Sequence, residues 1–119
     1  MKGVLAAQAF LDRLKPLLEA GALSFSPRNA KKTWQFMLDE GLGEEDAYAI
    51  IAKLGPEHYR WGPQPDDDGS VGEVMLFHFP YAQLFPPFER IQLYIKLKIQ
   101  TGIHGDAGVV MSFHDEGNI

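Results

Sequence analysis

The spacing of apolar residues changes near the middle of the chain, from a helical period to strict alternation. Between residues 4 and 20, apolar side chains recur every three or four positions, which predicts one amphipathic helix. Pro16 lies within this segment without shifting the phase of the apolar stripe, so a kink is favoured over two separate helices. Gly21 is expected to end the helix, and residues 23–25 to form a short extended piece.

A second helix is predicted from Ser26, which suits an N-cap, to Gly41, which suits a helix C-terminus. Its buried stripe is expected to comprise Ala30, Trp34, Met37 and Leu38. Its opposite, solvated side is expected to carry Arg28, Lys31, Lys32 and Gln35. The exposed side of this helix is therefore predicted to be basic.

A third helix is predicted to begin at Glu44, because a run of acidic residues suits the positive end of a helix dipole. It is expected to end before Gly55, which is followed by proline. The side chains that it is predicted to bury are Ala47, Ile50, Ile51 and Leu54.

From residue 58 onward the pattern is that of strands separated by turns. The predicted strands cover residues 58–61, 71–79, 91–100 and 109–114, with an acidic, turn-rich loop after the first. Helices followed by strands indicate an α+β fold, in which the N-terminal helices pack on an antiparallel, twisted β-sheet.

The last two strands are predicted to form a hairpin, because the connecting residues 101–108 include three glycines. If residue 99 lies opposite residue 109, the pairs on one side of the hairpin are Tyr94 with His114, Lys96 with Ser112, and Lys98 with Val110. This side would carry a phenol, an imidazole and two ammonium groups, a set suited to binding a phosphodiester and transferring protons. The alternative, which alternation alone favours, is a solvated sheet face whose lysines discourage edge pairing.

Composition narrows the remaining possibilities. A chain of 119 residues with 45% hydrophobic content is expected to form one domain spanning residues 1–119. A net charge of -5 and a pI near 5.2 weigh against indiscriminate nucleic-acid binding. Two stretches are nevertheless locally basic, one with Arg28, Lys31 and Lys32 and the other with Arg90, Lys96 and Lys98.

Other protein classes are disfavoured by what the sequence lacks. No apolar run approaches the roughly 20 residues of a membrane span, and the absence of cysteine fits a reducing compartment. A cytoplasmic protein that does not enter a membrane is therefore expected. The histidines lack the close spacing of a zinc site, and nucleotide-binding glycine motifs are missing, so neither a metal nor a cofactor is expected.

Three short motifs occur in an informative order: L-G-P-E-H-Y at residues 54–59, Y-I-K-L-K-I at 94–99 and V-V-M-S-F-H-D-E at 109–116. In this order they resemble the motility quorum-sensing regulator (MqsR) family of bacterial toxins, over about residues 10–116. The resemblance implies a RelE-like α+β fold and metal-independent cleavage of messenger RNA. It also implies a cognate antitoxin protein that holds the toxin inactive.

The resemblance also suggests roles for individual residues. Tyr94 and Lys96 match the tyrosine and lysine of the family's Y-[IL]-K motif, and His114 stands where a basic residue is expected. Together with Arg60 they are the candidate catalytic residues, and Tyr94 and His114 are expected to face solvent. The candidate RNA-binding residues are Arg28, Lys31, Lys32, Arg90 and Lys98.

Departures from the family pattern support an alternative function. Trp61 stands where the family carries a lysine, Arg60 replaces a tyrosine, and Leu76 falls near the position of a glutamine. A non-catalytic member of the same fold, acting as a binding or regulatory protein, is the alternative.

The proline-rich segment at residues 80–90 has the character of an insertion. It is a candidate contact for a homodimer or another partner, because its many apolar side chains would be unusual on an exposed loop. The alternative is that its apolar side chains pack against the edge of the sheet; these would be Phe79, Leu84, Phe85 and Phe88.

Overall fold

A computed structural model describes residues 2–28, 30–67, 69, 72–80 and 92–115. These residues form helices α1 (Lys2–Glu19), α2 (Ala30–Glu40) and α3 (Glu44–Ile51) and strands β1 (Leu23–Phe25), β2 (Tyr59–Pro65), β3 (Glu73–Pro80), β4 (Gln92–Gly102) and β5 (Gly105–Asp115). A short 3-10 helix, Pro56–His58, leads into β2. The helices precede the long strands and pack on them, which confirms the predicted α+β fold.

The strands form one sheet in the order β1-β5-β4-β3-β2. The long strands β2 to β5 pair antiparallel with their neighbours, as predicted. The short extended piece at residues 23–25 joins them as β1, which runs parallel to β5 opposite Gly108–Val110. The sheet is therefore mixed, and only its β1 edge is parallel.

Alternation along β4 divides the sheet into a helix-facing side and an outer side. The apolar residues of β4 are fully buried beneath the helices: Leu93, Ile95, Leu97 and Ile99. Phe113 of β5 joins them, as predicted, and Phe77 of β3 contacts Phe10 of α1 at 6.0 Å between ring centroids. The opposite side, here called the outer face, carries the polar members of the alternation: His78, Tyr94, Lys96, Lys98, Ser112 and His114.

Helix α2 differs from its prediction in where it begins and which side it buries. It starts at Ala30, so Arg28 precedes the helix and does not lie on its exposed side. The buried residues are Thr33, Phe36 and Met37. Of the predicted stripe only Met37 is buried, while Trp34 is 41% exposed and Leu38 is 75% exposed.

A contact with the edge of β5 explains why α2 buries a different side from the predicted one. Beyond Val110 the strand no longer pairs with β1, and the Phe113 N–H instead donates to the Thr33 hydroxyl at 3.2 Å. Turning Thr33 toward β5 satisfies a buried backbone donor, which would otherwise be costly. Trp34 then falls at the rim, where it stacks on Phe25 with 5.3 Å between ring centroids.

The other helices agree with the sequence pattern. Helix α1 runs through Pro16 as one element, and Gly21 ends it in a left-handed conformation at φ 71°. Gly41 ends α2 in the same way at φ 69°. In α3 the Asp46 carboxylate accepts a hydrogen bond from the Gly43 N–H at 2.8 Å. The four residues predicted to be buried by this helix are all buried: Ala47, Ile50, Ile51 and Leu54.

The β4–β5 hairpin is longer and tighter than predicted, since the strands continue to Gly102 and from Gly105. Tyr94 pairs with His114 and Lys96 with Ser112, as predicted. Beyond them the register shifts by one residue, so Lys98 pairs with Val109 and not with Val110. The shift is a β-bulge, in which one strand carries an extra residue. That extra residue is Met111, since Ser112 and Val110 pair with consecutive residues of β4.

Two sequence predictions concern residues that the structure does not fully describe. The proline-rich segment and its Arg90 lie outside the described residues, apart from Pro80 at the end of β3.

Within the described part of the chain, no helix is long and apolar enough to cross a membrane.

Candidate functional site

Three ring side chains stand side by side on the outer face, one on each of three adjacent strands. Tyr94 on β4 pairs with His78 on β3 and with His114 on β5. The rings of Tyr94 and His114 are stacked, with centroids 5.0 Å apart and an angle of 14°. The rings of Tyr94 and His78 are 5.9 Å apart and tilted by 46°. This arrangement, here called the ring row, brings three proton-exchanging groups together at the centre of the sheet.

The hydrogen bonds of the two histidines fix opposite tautomers. His114 Nδ1 lies 2.9 Å from the Asp115 carbonyl oxygen, which can only accept, so Nδ1 carries the proton. Neutral His114 therefore has its lone pair on Nε2. On the other side, Arg60 Nε donates to His78 Nδ1 at 2.9 Å, so neutral His78 carries its proton on Nε2. With both histidines neutral, the ring row thus has an unprotonated Nε2 at the His114 end and an Nε2–H at the His78 end.

His114 is less accessible than the sequence suggests. It is only 4% exposed, so the expectation that it faces open solvent is wrong. Tyr94, which stacks against it, is half-buried and forms the more accessible part of the pair. The neighbouring ring covers His114 because direct cross-strand partners on one face lie only about 5 Å apart.

Two cations flank the ring row. Lys96 lies two residues along β4 from Tyr94, and its Nζ is 5.5 Å from the centroid of the Trp61 ring. This distance is typical of a cation–π contact, which holds the ammonium group without neutralising it. Arg60 is exposed and is oriented by its hydrogen bond to His78. The four candidate catalytic residues therefore do lie together on the outer face, with His78 as a fifth member.

Lys98 occupies the same face but a different environment. It is only 2% exposed, and its Nζ lies 2.6 Å from the Asp66 carboxylate. The same carboxylate oxygen accepts a short hydrogen bond from the Arg28 guanidinium. Asp66 thus bridges two of the predicted RNA-binding residues in one ion cluster, in which Asp66 and Lys98 are buried and Arg28 is exposed. The alternation of β4 predicts that Lys98 is exposed like its polar neighbours, but its side chain is buried.

The close approach of Gly72 to β4 requires a glycine just before β3. Gly72 has φ +145°, and a Cβ there would lie 2.7 Å from Lys98 Cε and 2.8 Å from the Ile99 carbonyl oxygen. A side chain at this position would collide with the backbone of β4. Gly72 therefore helps to bury Lys98.

The remaining predicted RNA-binding residues are not gathered at the ring row. Lys31 is exposed on α2 and Lys32 is half-buried there, while Arg28 approaches the outer face through Asp66. Arg90 lies outside the described residues. The structure thus brings Arg28 and Lys98 together and leaves Lys31 and Lys32 on a helix.

Sequence reasoning missed the roles of His78, Trp61 and Asp66 on this face. His78 lies in an otherwise apolar strand, although it stands directly opposite Tyr94 of β4. The cation–π contact of Trp61 and the buried pair of Asp66 depend on the cross-strand neighbours, which no local pattern specifies. Within the described residues, no group of three or more potential ligands is arranged to hold a metal ion.

Comparison with known proteins adds no further identification. No protein-family model, no curated protein and no solved structure matches this chain. The case for a function therefore depends on the motifs and on the geometry of the outer face.

Proposed function

We propose that the protein is a metal-independent endoribonuclease that cleaves messenger RNA as the toxin of a cytoplasmic toxin–antitoxin pair. The observation that supports this proposal best is the ring row itself. Tyr94 stands between His78 and His114, and Lys96 and Arg60 lie beside it. The motif resemblance, centred on Tyr94 and Lys96, points to the same residues. A cognate antitoxin encoded beside this protein is part of the proposal.

The reaction would be attack of a ribose 2'-hydroxyl on the adjacent phosphate. The hydroxyl proton goes to a base while the O2'–P bond forms, and the P–O5' bond breaks as an acid protonates O5'. The products are a 2',3'-cyclic phosphate and a 5'-hydroxyl. His114 Nε2 carries a lone pair and the Tyr94 hydroxyl carries a proton, so this pair contains both an acceptor and a donor.

Charge builds up on the phosphate oxygens during this attack. The ammonium group of Lys96 lies over the Trp61 ring, and Arg60 presents a guanidinium beside His78. Cations fixed in advance of the reaction stabilise such charge at little reorganisation cost. Both residues are therefore assigned to stabilising the transition state.

A non-catalytic binding protein of the same fold is the second candidate. It is favoured by Trp61, which is 41% exposed at the position of the family's lysine, and by the 4% exposure of His114. Such a protein would bind through the outer face without cleaving RNA.

Growth of a bacterial host during induced expression separates the two candidates. The wild-type protein is expected to arrest growth, and Tyr94→Phe is expected to relieve the arrest, because it removes one hydroxyl and keeps the stacked ring. Tyr48→Phe is the matched control, since the Tyr48 hydroxyl lies 3.3 Å from the Leu23 carbonyl, away from the ring row. This control should remain toxic. Normal growth with soluble wild-type protein would favour the non-catalytic candidate.

A further inference from the structure

A cavity of about 410 Å³ opens on the outer face at the Lys98 end of β4. Its volume falls within the range of roughly 300–1,000 Å³ that is usual for small-ligand pockets. Polar side chains from β1, β4 and the segment before α2 line it: Ser24, Ser26, Arg28, Lys98 and Gln100. It is called here the serine–arginine cavity.

The chemistry of this lining suits an anion. Arginine and lysine only donate hydrogen bonds, and the serine hydroxyls and the glutamine amide also have donors. Among the described residues, no carboxylate lines the cavity. The Arg28 and Lys98 side chains line the cavity and both contact Asp66, and the Arg28 side chain remains 45% exposed. Phosphate groups are favoured ligands of such donor sets, because arginine can pair with two of their oxygens.

The walls of the cavity are held in place before any ligand binds. The Ser26 N–H donates to the Val110 carbonyl at 3.0 Å, and the Arg28 N–H donates to the Met111 carbonyl at 3.0 Å. Asp66 contacts the Arg28 and Lys98 side chains and is itself only 5% exposed. A binding site that is already ordered loses less conformational freedom when its ligand arrives.

The position of the cavity relates it to the ring row. Lys98 follows Tyr94 by four residues on the same face of β4, a separation of roughly 13 Å along a strand. Lys96 lies between them. A polymer with repeated phosphates that lay along β4 would therefore meet Tyr94, Lys96 and the cavity in turn.

We propose that the serine–arginine cavity holds a phosphate of the RNA strand at a site separate from the phosphate that is cleaved at Tyr94. This inference rests on the proposed function and assigns substrate positioning to residues that take no part in proton transfer. Occupation of the cavity would fix the register of the strand on β4. The cavity residues should therefore affect KM and not kcat.

The test is a change of charge at the cavity with a matched change elsewhere. Gln100→Glu adds a negative charge at an exposed lining residue that is not part of the ion cluster. Gln8→Glu makes the same change on the exposed side of α1, where Gln8 contacts Asp12. The probes are a 2'-O-methyl RNA oligonucleotide, which binds but cannot be cleaved, and the corresponding unmodified RNA. Melting temperatures of both variants check that they fold.

The inference predicts that Gln100→Glu weakens binding of the 2'-O-methyl RNA by about fivefold or more, whereas Gln8→Glu leaves it within about twofold. For cleavage of the unmodified RNA, KM should rise and kcat should stay unchanged. Normal cleavage with the same KM in both variants would overturn the cavity assignment and leave the proposed function intact. Failure of the wild-type protein to bind or cleave either RNA would overturn both.

Discussion

Lys96 and Lys98 lie two residues apart on the same strand and the same face, yet their surroundings differ. Lys96 is half-buried, and its ammonium group lies over the Trp61 ring. Lys98 is 2% exposed and forms an ion pair with Asp66. The first lysine lies beside the ring row in contact with an aromatic ring, and the second is paired with Asp66 at the wall of the serine–arginine cavity. Alternation assigns a residue to a face of the sheet, whereas the neighbours across the sheet and the connecting segments decide what it does there.

The contrast extends to the two ends of the outer face. At the Tyr94 end, rings from β3, β4 and β5 lie beside cations from β2 and β4, which suits proton transfer. At the Lys98 end, Asp66 pairs with Lys98, Gly72 lies close to the same side chain, and the ion cluster forms one wall of the serine–arginine cavity. We therefore expect variants at the two ends to change different properties of the protein.

The largest expected effect is on stability at the Lys98 end. Lys98→Ala removes one of the cations that pair with the Asp66 carboxylate, whose side chain is only 1% exposed. Breaking a buried ion pair by removing one partner costs about 3–5 kcal/mol. We expect a loss of about 3 kcal/mol in the free energy of unfolding, near the lower end of this range because Arg28 still contacts Asp66. Chemical denaturation measures this change.

Lys96→Ala is the matched comparison, since it removes the same side chain from the same face. It should cost less than about 1 kcal/mol, the usual contribution of a partly exposed cation–π contact. Equal losses for the two variants would contradict the distinction between the two lysines.

The next effect is on catalysis at the Tyr94 end. Lys96→Ala should lower kcat by about 100-fold, because a fixed cation contributes most when charge develops in the transition state. KM should change little. Single-turnover cleavage of a short RNA under saturating protein measures this step. A raised KM with unchanged kcat would instead make Lys96 a binding residue.

A smaller effect is expected from the basic side of α2. Lys31→Ala should raise KM slightly. The double variant Lys31→Ala, Lys32→Ala should make the negative slope of log affinity against log salt concentration shallower by about 1.4, the value for two single-strand phosphate contacts. Lys53→Ala, which removes an exposed lysine just after α3, is the control. A slope that is the same in the double variant and the control would show that α2 does not meet RNA.

The smallest effect concerns pH and lies outside the outer face. Burial lowers the pKa of His58 below its ordinary value, and Lys15 adds to this lowering while Glu57 opposes it. Its Nδ1 accepts a hydrogen bond from the Gly55 N–H at 2.9 Å, which requires an unprotonated nitrogen. Because the folded state holds the proton less tightly than the unfolded state, the contribution of His58 is complete above about pH 6.5 and is lost as the pH falls through the lowered pKa.

His58→Asn tests this linkage, since it keeps a side-chain acceptor and removes the titration. The free energy of unfolding of the wild-type protein should fall slightly more between about pH 8 and about pH 5 than that of the variant. Equal falls would show that the hydrogen bond to Gly55 does not depend on protonation of His58.

Local patterns predicted much of the fold, because the responsible signals lie close together in sequence. The left-handed glycines at Gly21 and Gly41 and the buried stripe of α3 are examples. The α2 stripe was wrong for a long-range reason, since Thr33 turns toward the N–H of Phe113, 80 residues away. The spacing of apolar residues within α2 cannot reveal a contact with a residue so far away in sequence.

The candidate site could be predicted only in part, because some of its contacts join residues that are distant in sequence. Alternation and the hairpin glycines were sufficient to pair Tyr94 with His114. They could not reveal the bulge at Met111, which moves Lys98 opposite Val109. Nor could they reveal that Asp66, 32 residues from Lys98 in sequence, provides its counter-charge. A buried charge depends on its partner, and the partner is a property of the tertiary structure.

Cleavage of RNA by the purified protein in the presence of EDTA shows whether the Tyr94 end of the outer face performs chemistry. The fragments should end in a 2',3'-cyclic phosphate and a 5'-hydroxyl. Tyr94→Phe should lower kcat by about 100-fold or more, as is typical for loss of a proton-transferring group, while Tyr48→Phe should cleave like the wild-type protein. Absence of cleavage by folded wild-type protein, or full activity of Tyr94→Phe, would show that the ring row does not catalyse RNA cleavage.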